Sequence, residues 1–131
     1  MQAFNDATCP KFVYQGQPFI TFYLKPGKIA INGMARKFMG LNVGDMVEFY
    51  CKEIDGSMEW YISPVHANGF KLSKHTGSNT LVFTRKDLII SLFNSLFFEG
   101  GVARAYVLRK RRVEDKWVYK LDTSQIKNTH K

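Results

Sequence analysis

Nine of the chain's 19 lysines and arginines fall between Arg104 and Lys131, and four of these follow one another as Arg109, Lys110, Arg111 and Arg112. Successive cations have one evident chemistry. Each Lys or Arg set against a phosphate releases a condensed counterion, a sequence-independent and salt-sensitive contribution to binding, and the planar guanidinium adds a fork that fits phosphate oxygens. Only Glu114, Asp115 and Asp122 oppose the nine, so this stretch carries +6 of the formal net charge of +8 in a chain of 131 residues. The asymmetry favours an anionic partner, either nucleic acid or an acidic surface. Charge at a hairpin tip also keeps an exposed edge soluble and unpaired, so composition alone leaves a solvated arm and a phosphate-tracking arm both open.

Other reactive residue types are dispersed. His66, His75 and His130 stand in loop-like or terminal sequence without a Cys or carboxylate at ligand spacing, and Cys9 and Cys51 form neither a CxxC nor a Cys/His cluster. This pattern gives no basis for a metal site, a disulfide framework or a cofactor. Asp45 and Asp87 stand where turn and helix-start chemistry would use them, so no acid–base pair or nucleophile–base pair can be assembled. In "HTGSNT" a single glycine precedes a strand, unlike a phosphate-cradling loop with its glycine–lysine pattern leading into a helix. The expectation is a non-enzymatic protein. The start "MQAFNDATCPKF" has no basic stretch followed by an apolar core, and no run approaches the ~18 apolar residues of a membrane span, so a soluble, cytoplasmic protein without membrane contact is expected.

The elements that must carry these cations are short and mostly strands. "PFITFYL" (Pro18 to Leu24) is aromatic and β-branched, closed by "KPG", and "KIAI" (Lys28 to Ile31) follows. "NGMARKFMGL" predicts a helix with Asn32 as N-cap, Met34, Phe38 and Leu41 on its apolar face and Gly40 at its exit. "DMVEFYCKEI" alternates with period two, turns back at "DGSM", and returns as "EWYISPV", where Pro64 is expected to end the ladder. "GFKLS" and "TLVF" are further strands, and "TRKDLIISLFNSLF" predicts a helix over 84–97 with Thr84 as N-cap and Leu88, Ser91, Leu92 and Asn94 to Leu96 along its stripe. "VARAYVLRK" (Val102 to Lys110) alternates again, and "RRVEDK" reads as a basic loop into "WVYKL".

Each half therefore reads strand, strand, helix, strand, strand. "PFITF" corresponds to "GFKLS", "KIAI" to "TLVF", "DMVEFYCK" to "VARAYVLRK" and "EWYIS" to "KWVYK", which matches Trp60 with Trp117, the only two tryptophans. The expected fold is α+β and β-rich, a small barrel of two β-β-α-β-β lobes related by pseudo-twofold symmetry. It forms one domain over 1–131, with lobes at about 12–66 and 69–122 and flexible tails at 1–11 and 123–131.

The stretch from Gly27 to Phe49 resembles the SpoVT/AbrB swapped-hairpin family of bacterial transition-state regulators and MazE-type antitoxins. Gly27, Lys28, Ile29, Ala30 and Ile31 match that family's Gly-basic pair and strand. Arg36, Lys37, Gly40, Leu41, Gly44, Asp45, Val47, Glu48 and Phe49 match its helix and the "GDxVEF" strand that follows. Asn32 stands where the family has proline, and Met34 and Ala35 replace its acidic–leucine pair. The family builds its barrel from two chains, so a tandem copy implies a fused pseudodimer, with a further homodimer or another protein partner left open.

The resemblance implies DNA binding by basic residues around the strand-to-helix hinge, here Lys28, Arg36 and Lys37, with Arg85 and Lys86 near the matching position of the second half. Cations beside a helix N-terminus oppose its dipole, so those two are not explained by helix stability. The expected site joins these five residues to Arg109, Lys110, Arg111 and Arg112, in a DNA-binding regulator. Two alternatives are a single-stranded nucleic-acid-binding module, distinguished by whether Tyr23, Trp60, Tyr61 or Trp117 lies exposed beside the cations, and a protein-interaction or virion-associated module of a phage or mobile element.

Overall fold

The computed structural model describes residues 16–128. Cys9, His130 and the tail expected at 1–11 lie outside them. In chain order the elements are β1 Phe19–Tyr23, β2 Lys28–Ile31, α1 Gly33–Met39, β3 Met46–Ile54, β4 Ser57–Val65, β5 Phe70–Lys71, β6 Ser73–Lys74, β7 Leu81–Thr84, α2 Lys86–Ser95, β8 Val102–Val113 and β9 Lys116–Asp122. The strands form one antiparallel sheet in the order β5-β3-β4-β9-β8-β1-β2-β7-β6. Leu72 alone separates β5 from β6, so the chain joins the two ends of the sheet and the barrel nearly closes. Both backbone groups of Leu72 bond to the turn before β3, its N–H to Asp45 O at 2.8 Å and its carbonyl to Gly44 N at 2.9 Å.

The core follows the period-two pleat. Ile20 and Phe22 of β1 point inward opposite Ala105 and Ala103 of β8, large against small. Ile29 and Ile31 pair with Phe83 and Leu81, and Ile62 with Tyr119, all buried. Each large aliphatic or aromatic side chain so removed from water contributes about 1.5–3 kcal/mol before entropy is counted.

Several local expectations shift. On α1 the buried residues are Ala35 and Met39, while Phe38 is exposed and lies edge-on to Tyr119. Thr84 is the last residue of β7, and Arg85 holds the N-cap position of α2 without a side-chain cap bond. The face of α2 that packs inward is Ile89, Leu92 and Phe93. Pro64 does not end a ladder but lies within β4 opposite Val47, beyond the Trp60–Ile62 stretch shared with β9. After β9 the chain is tied back: Ile126 is buried in the core, and Asn128 bonds both Glu99 N and Phe97 O, so residues 123–128 are not a loose tail. The two tryptophans occupy unlike environments, Trp60 at 5% exposure and Trp117 at 55%.

Candidate nucleic-acid interface

The first group of cations is set by the β2–β7 pairing. Lys28 lies directly opposite Thr84, one residue before Arg85 and Lys86. Gly27, at φ +97°, makes the close approach: its carbonyl accepts from Arg85 N at 2.8 Å, and a Cβ there would meet Lys86 Cβ at 2.9 Å. The β1–β2 turn thus adds exposed Lys25, which the sequence reading passed over as part of "KPG". Lys28 Nζ sits 5.5 Å from the Tyr23 ring centroid, and Arg85 lies over Phe70 at 5.2 Å. Arg85 is also ion-paired with Asp87 at 3.0 Å, which offsets its unfavourable place at the start of α2.

Arg36 and Lys37 stand on α1, apart from that group. Asn32 caps the helix and anchors it: its Oδ1 accepts from Ala35 N at 2.8 Å and Phe19 N at 3.1 Å, while Nδ2 donates to Gln17 O at 2.9 Å. No proline side chain offers these bonds. Arg36 Nε donates to Leu41 O at 3.1 Å and Nη1 to Asn79 O at 3.3 Å, clamping the helix exit to the loop before β7. Both cations lie in the last turn, where the dipole favours them. Lys37 is exposed beside an open groove of about 720 Å³ between α1 and Asn79–Thr80.

Arg111 and Arg112 do not open a loop. β8 continues through them to Val113, reversing at Glu114 and Asp115, both at positive φ, and a bulge between Val107 and Lys110 resets which side chains face which way. Beyond the bulge Arg112 lies opposite Trp117 and Lys110 opposite Tyr119. Lys110 Nζ and Arg112 Cζ stand 5.7 and 5.8 Å from the Trp117 ring centroid. Arg111 points the other way, where its charge acts on Glu59 and Tyr61. The four-residue run is thereby divided between two faces, and all four side chains are exposed.

On the Arg111 side the arm folds across β4. Glu114 pairs with Lys52 at 3.8 Å and Lys116 lies 4.5 Å from the Tyr50 ring, although β4 separates β3 from β9. Tyr61 and Val118 are buried beneath it. Tyr61 Oη donates to Glu59 Oε1 at 2.6 Å, and Lys120 pairs with Glu59 Oε2 at 3.4 Å. The Tyr61 bond holds the Glu59 carboxyl below its usual range against the desolvation that would raise it, with help from Lys120 and Arg111. Burial, followed by the bond and charge of Glu59, pushes the Tyr61 phenol up to about 12. Burial and Glu48 do the same at Tyr50, whose hydroxyl donates to Glu48.

Sequence reading named Trp117 among four aromatics that could lie exposed beside the cations, but did not place it against Lys110 and Arg112. A two-residue turn at Glu114–Asp115 would have set Arg112 opposite Trp117, but the density of cations, which are poor strand formers, made "RRVEDK" look like loop. Among the described residues no three His, Cys, Asp or Glu side chains gather as metal ligands, and no helix is long and apolar enough to cross a membrane. Compared with known proteins, the chain matches no family model, no curated protein and no solved structure.

Proposed function

We propose that this chain is a non-enzymatic nucleic-acid-binding protein, a DNA-binding regulator of the swapped-hairpin kind with both lobes in one chain. The observation that carries the reading is the convergence of Lys28, Arg85 and Lys86 where β2, β7 and α2 meet, with exposed Lys25 in the adjoining turn. In this reading the group stands in for the strand-to-helix hinge by which the resemblance implies DNA contact, with Lys28, Arg85 and Lys86 of the expected set and without Arg36 and Lys37. Among the described residues, only Arg85 of these four has a carboxylate at ion-pairing distance, so the others offer uncompensated charge to phosphates.

The strand pairings support the pseudo-twofold. Exchanging β1 with the β5–β6 strand, β2 with β7, β3 with β8 and β4 with β9 returns the same cyclic order of neighbours. In this reading β1 pairs with β8, and β5 with β3, because each lobe lends its first hairpin to the other. The axis passes between β2 and β7 and between β4 and β9. Inward Ile29 and Ile31 then correspond to Leu81 and Phe83, and Trp60 corresponds to Tyr119 rather than Trp117.

Fluorescence anisotropy with a labelled DNA duplex at low salt tests the proposal, comparing the parent with a Lys25→Gln, Lys28→Gln, Lys86→Gln variant. Losing three phosphate contacts should weaken binding by about tenfold or more. Equal affinity would remove the hinge from the interface. If neither duplex nor single strand binds, the interaction-module reading takes over, for which Phe97, 85% exposed at the end of α2, is the natural contact.

A further inference from the structure

We infer that Trp117 is a stacking platform for one unpaired nucleobase, with Lys110 and Arg112 reaching the phosphates on either side of it. The inference rests on the nucleic-acid reading above and names the ligand of the arm as single-stranded DNA or RNA.

The backbone at Trp117 is anchored while its indole stays half exposed beside two cations, a combination that hairpin stability does not require. A cross-strand pair with Arg112 is served by any aromatic or β-branched residue. Here the ring stays 55% exposed while its surroundings are fixed. Ser63 Oγ donates to the Trp117 carbonyl at 2.8 Å, Val118 and Tyr119 on its C-terminal side are buried, and the arm tip is pinned by Glu114 to Lys52 and Lys116 to Tyr50. A platform ordered before binding loses little freedom when a flat ligand settles on it.

The chemistry of the rim identifies that ligand. Lys110 and Arg112 reach over the ring from about 6 Å, exposed Arg109 follows at the bulge, and the carboxylate pairing with this set is Asp115, loosely, 3.7 Å from Arg112. An aromatic face bordered by cations complements a nucleotide, whose base stacks while its phosphates are neutralised. A duplex hides its base faces, so the platform selects unpaired nucleotides. Trp60 offers no rival site, being buried with its Nε1 donating to Ser95 Oγ at 2.8 Å.

The test titrates the full chain with a ten-nucleotide oligo(dT) and with a blunt duplex, following intrinsic tryptophan fluorescence and anisotropy, for the parent, Trp117→Phe, Trp117→Ala and Lys110→Gln/Arg112→Gln. Expected are quenching by oligo(dT) in the parent that is absent in Trp117→Phe, and an affinity loss of about tenfold or more in Trp117→Ala. Trp117→Phe should retain most of the affinity, and the salt slope should drop only in the Lys110/Arg112 variant. Thermal melts establish that each variant is folded, and Trp117→Phe keeps the test decisive if Trp117→Ala is not. A parent that binds duplex without quenching by oligo(dT), or a folded Trp117→Ala with parental single-strand affinity, overturns the platform and leaves the hinge reading standing. A parent that binds no nucleic acid overturns both.

Discussion

Arg36 is a cation with prior commitments. Two of the five N–H groups of its guanidinium go to the carbonyls of Leu41 and Asn79. Arg36→Lys keeps the charge but lacks the fork, so it should destabilise the fold by about 1–2 kcal/mol in denaturant melts. DNA affinity in the same variant should change less than in the hinge variant. Tyr50 and Tyr61 give a second prediction at this scale. Their folded pKa values of about 12 lie above the unfolded value of 10.0, so the folded chain holds protons that the unfolded chain releases. The resulting stability is complete below pH 10 and is lost as pH rises towards 12. Chemical denaturation across that window should show a falling midpoint, less steep in Tyr50→Phe and Tyr61→Phe. Glu59 works in the opposite sense. Its depressed carboxyl favours the fold above the ordinary carboxylate range, and that contribution is lost on acidification.

Among the elements, Gly27 holds the hinge and Asn32 holds α1 to β1. Gly27→Ala would put a methyl 2.9 Å from Lys86 Cβ at a φ of +97°. It should destabilise by about 2 kcal/mol and separate Lys28 from Lys86, so melting temperature and DNA affinity should fall together. Asn32→Ala removes the α1 cap and the ties to Phe19 and Gln17, at a cost of about 1–2 kcal/mol in the same melts. Both residues were legible in the sequence because turn and cap chemistry is local: Asn32 before a helical spacing and Gly27 in "KPG" need no tertiary knowledge. β1 was legible from its aromatic and β-branched composition and β3 from its alternation, for the same reason. The buried faces of α1 and α2 were not, since packing against the common core decides which stripe of a short helix is inside. The arm was legible as a basic hairpin, but the continuation of β8 from Arg111 to Val113 was not, because the pairing with β9 that extends the strand is non-local. The split of Arg109 to Arg112 between two faces follows from a bulge, which no run of four like residues reveals.

For the whole molecule, the interleaved strand order predicts how the chain behaves when cut. Residues 1–67 and 68–131, co-expressed as separate chains, should reassemble into one particle of the parent mass, because β1 finds its partner in β8 and β5 finds its partner in β3. The first fragment alone should lack cooperative unfolding. Light scattering and melts of the pair and of each fragment check this, and two fragments that fold independently would contradict the swapped arrangement.

Exposed cations at the hinge and on the arm are proposed to bind nucleic acid through phosphates. The most direct measurement is the affinity of the parent chain for duplex and single-stranded oligonucleotides across a salt series. Log affinity should fall linearly with log salt. The slope should have a magnitude of about 3 or more, with each neutralised cation removing roughly one unit. Affinity that does not respond to salt, or no binding of either form at about 50 mM salt, would contradict it.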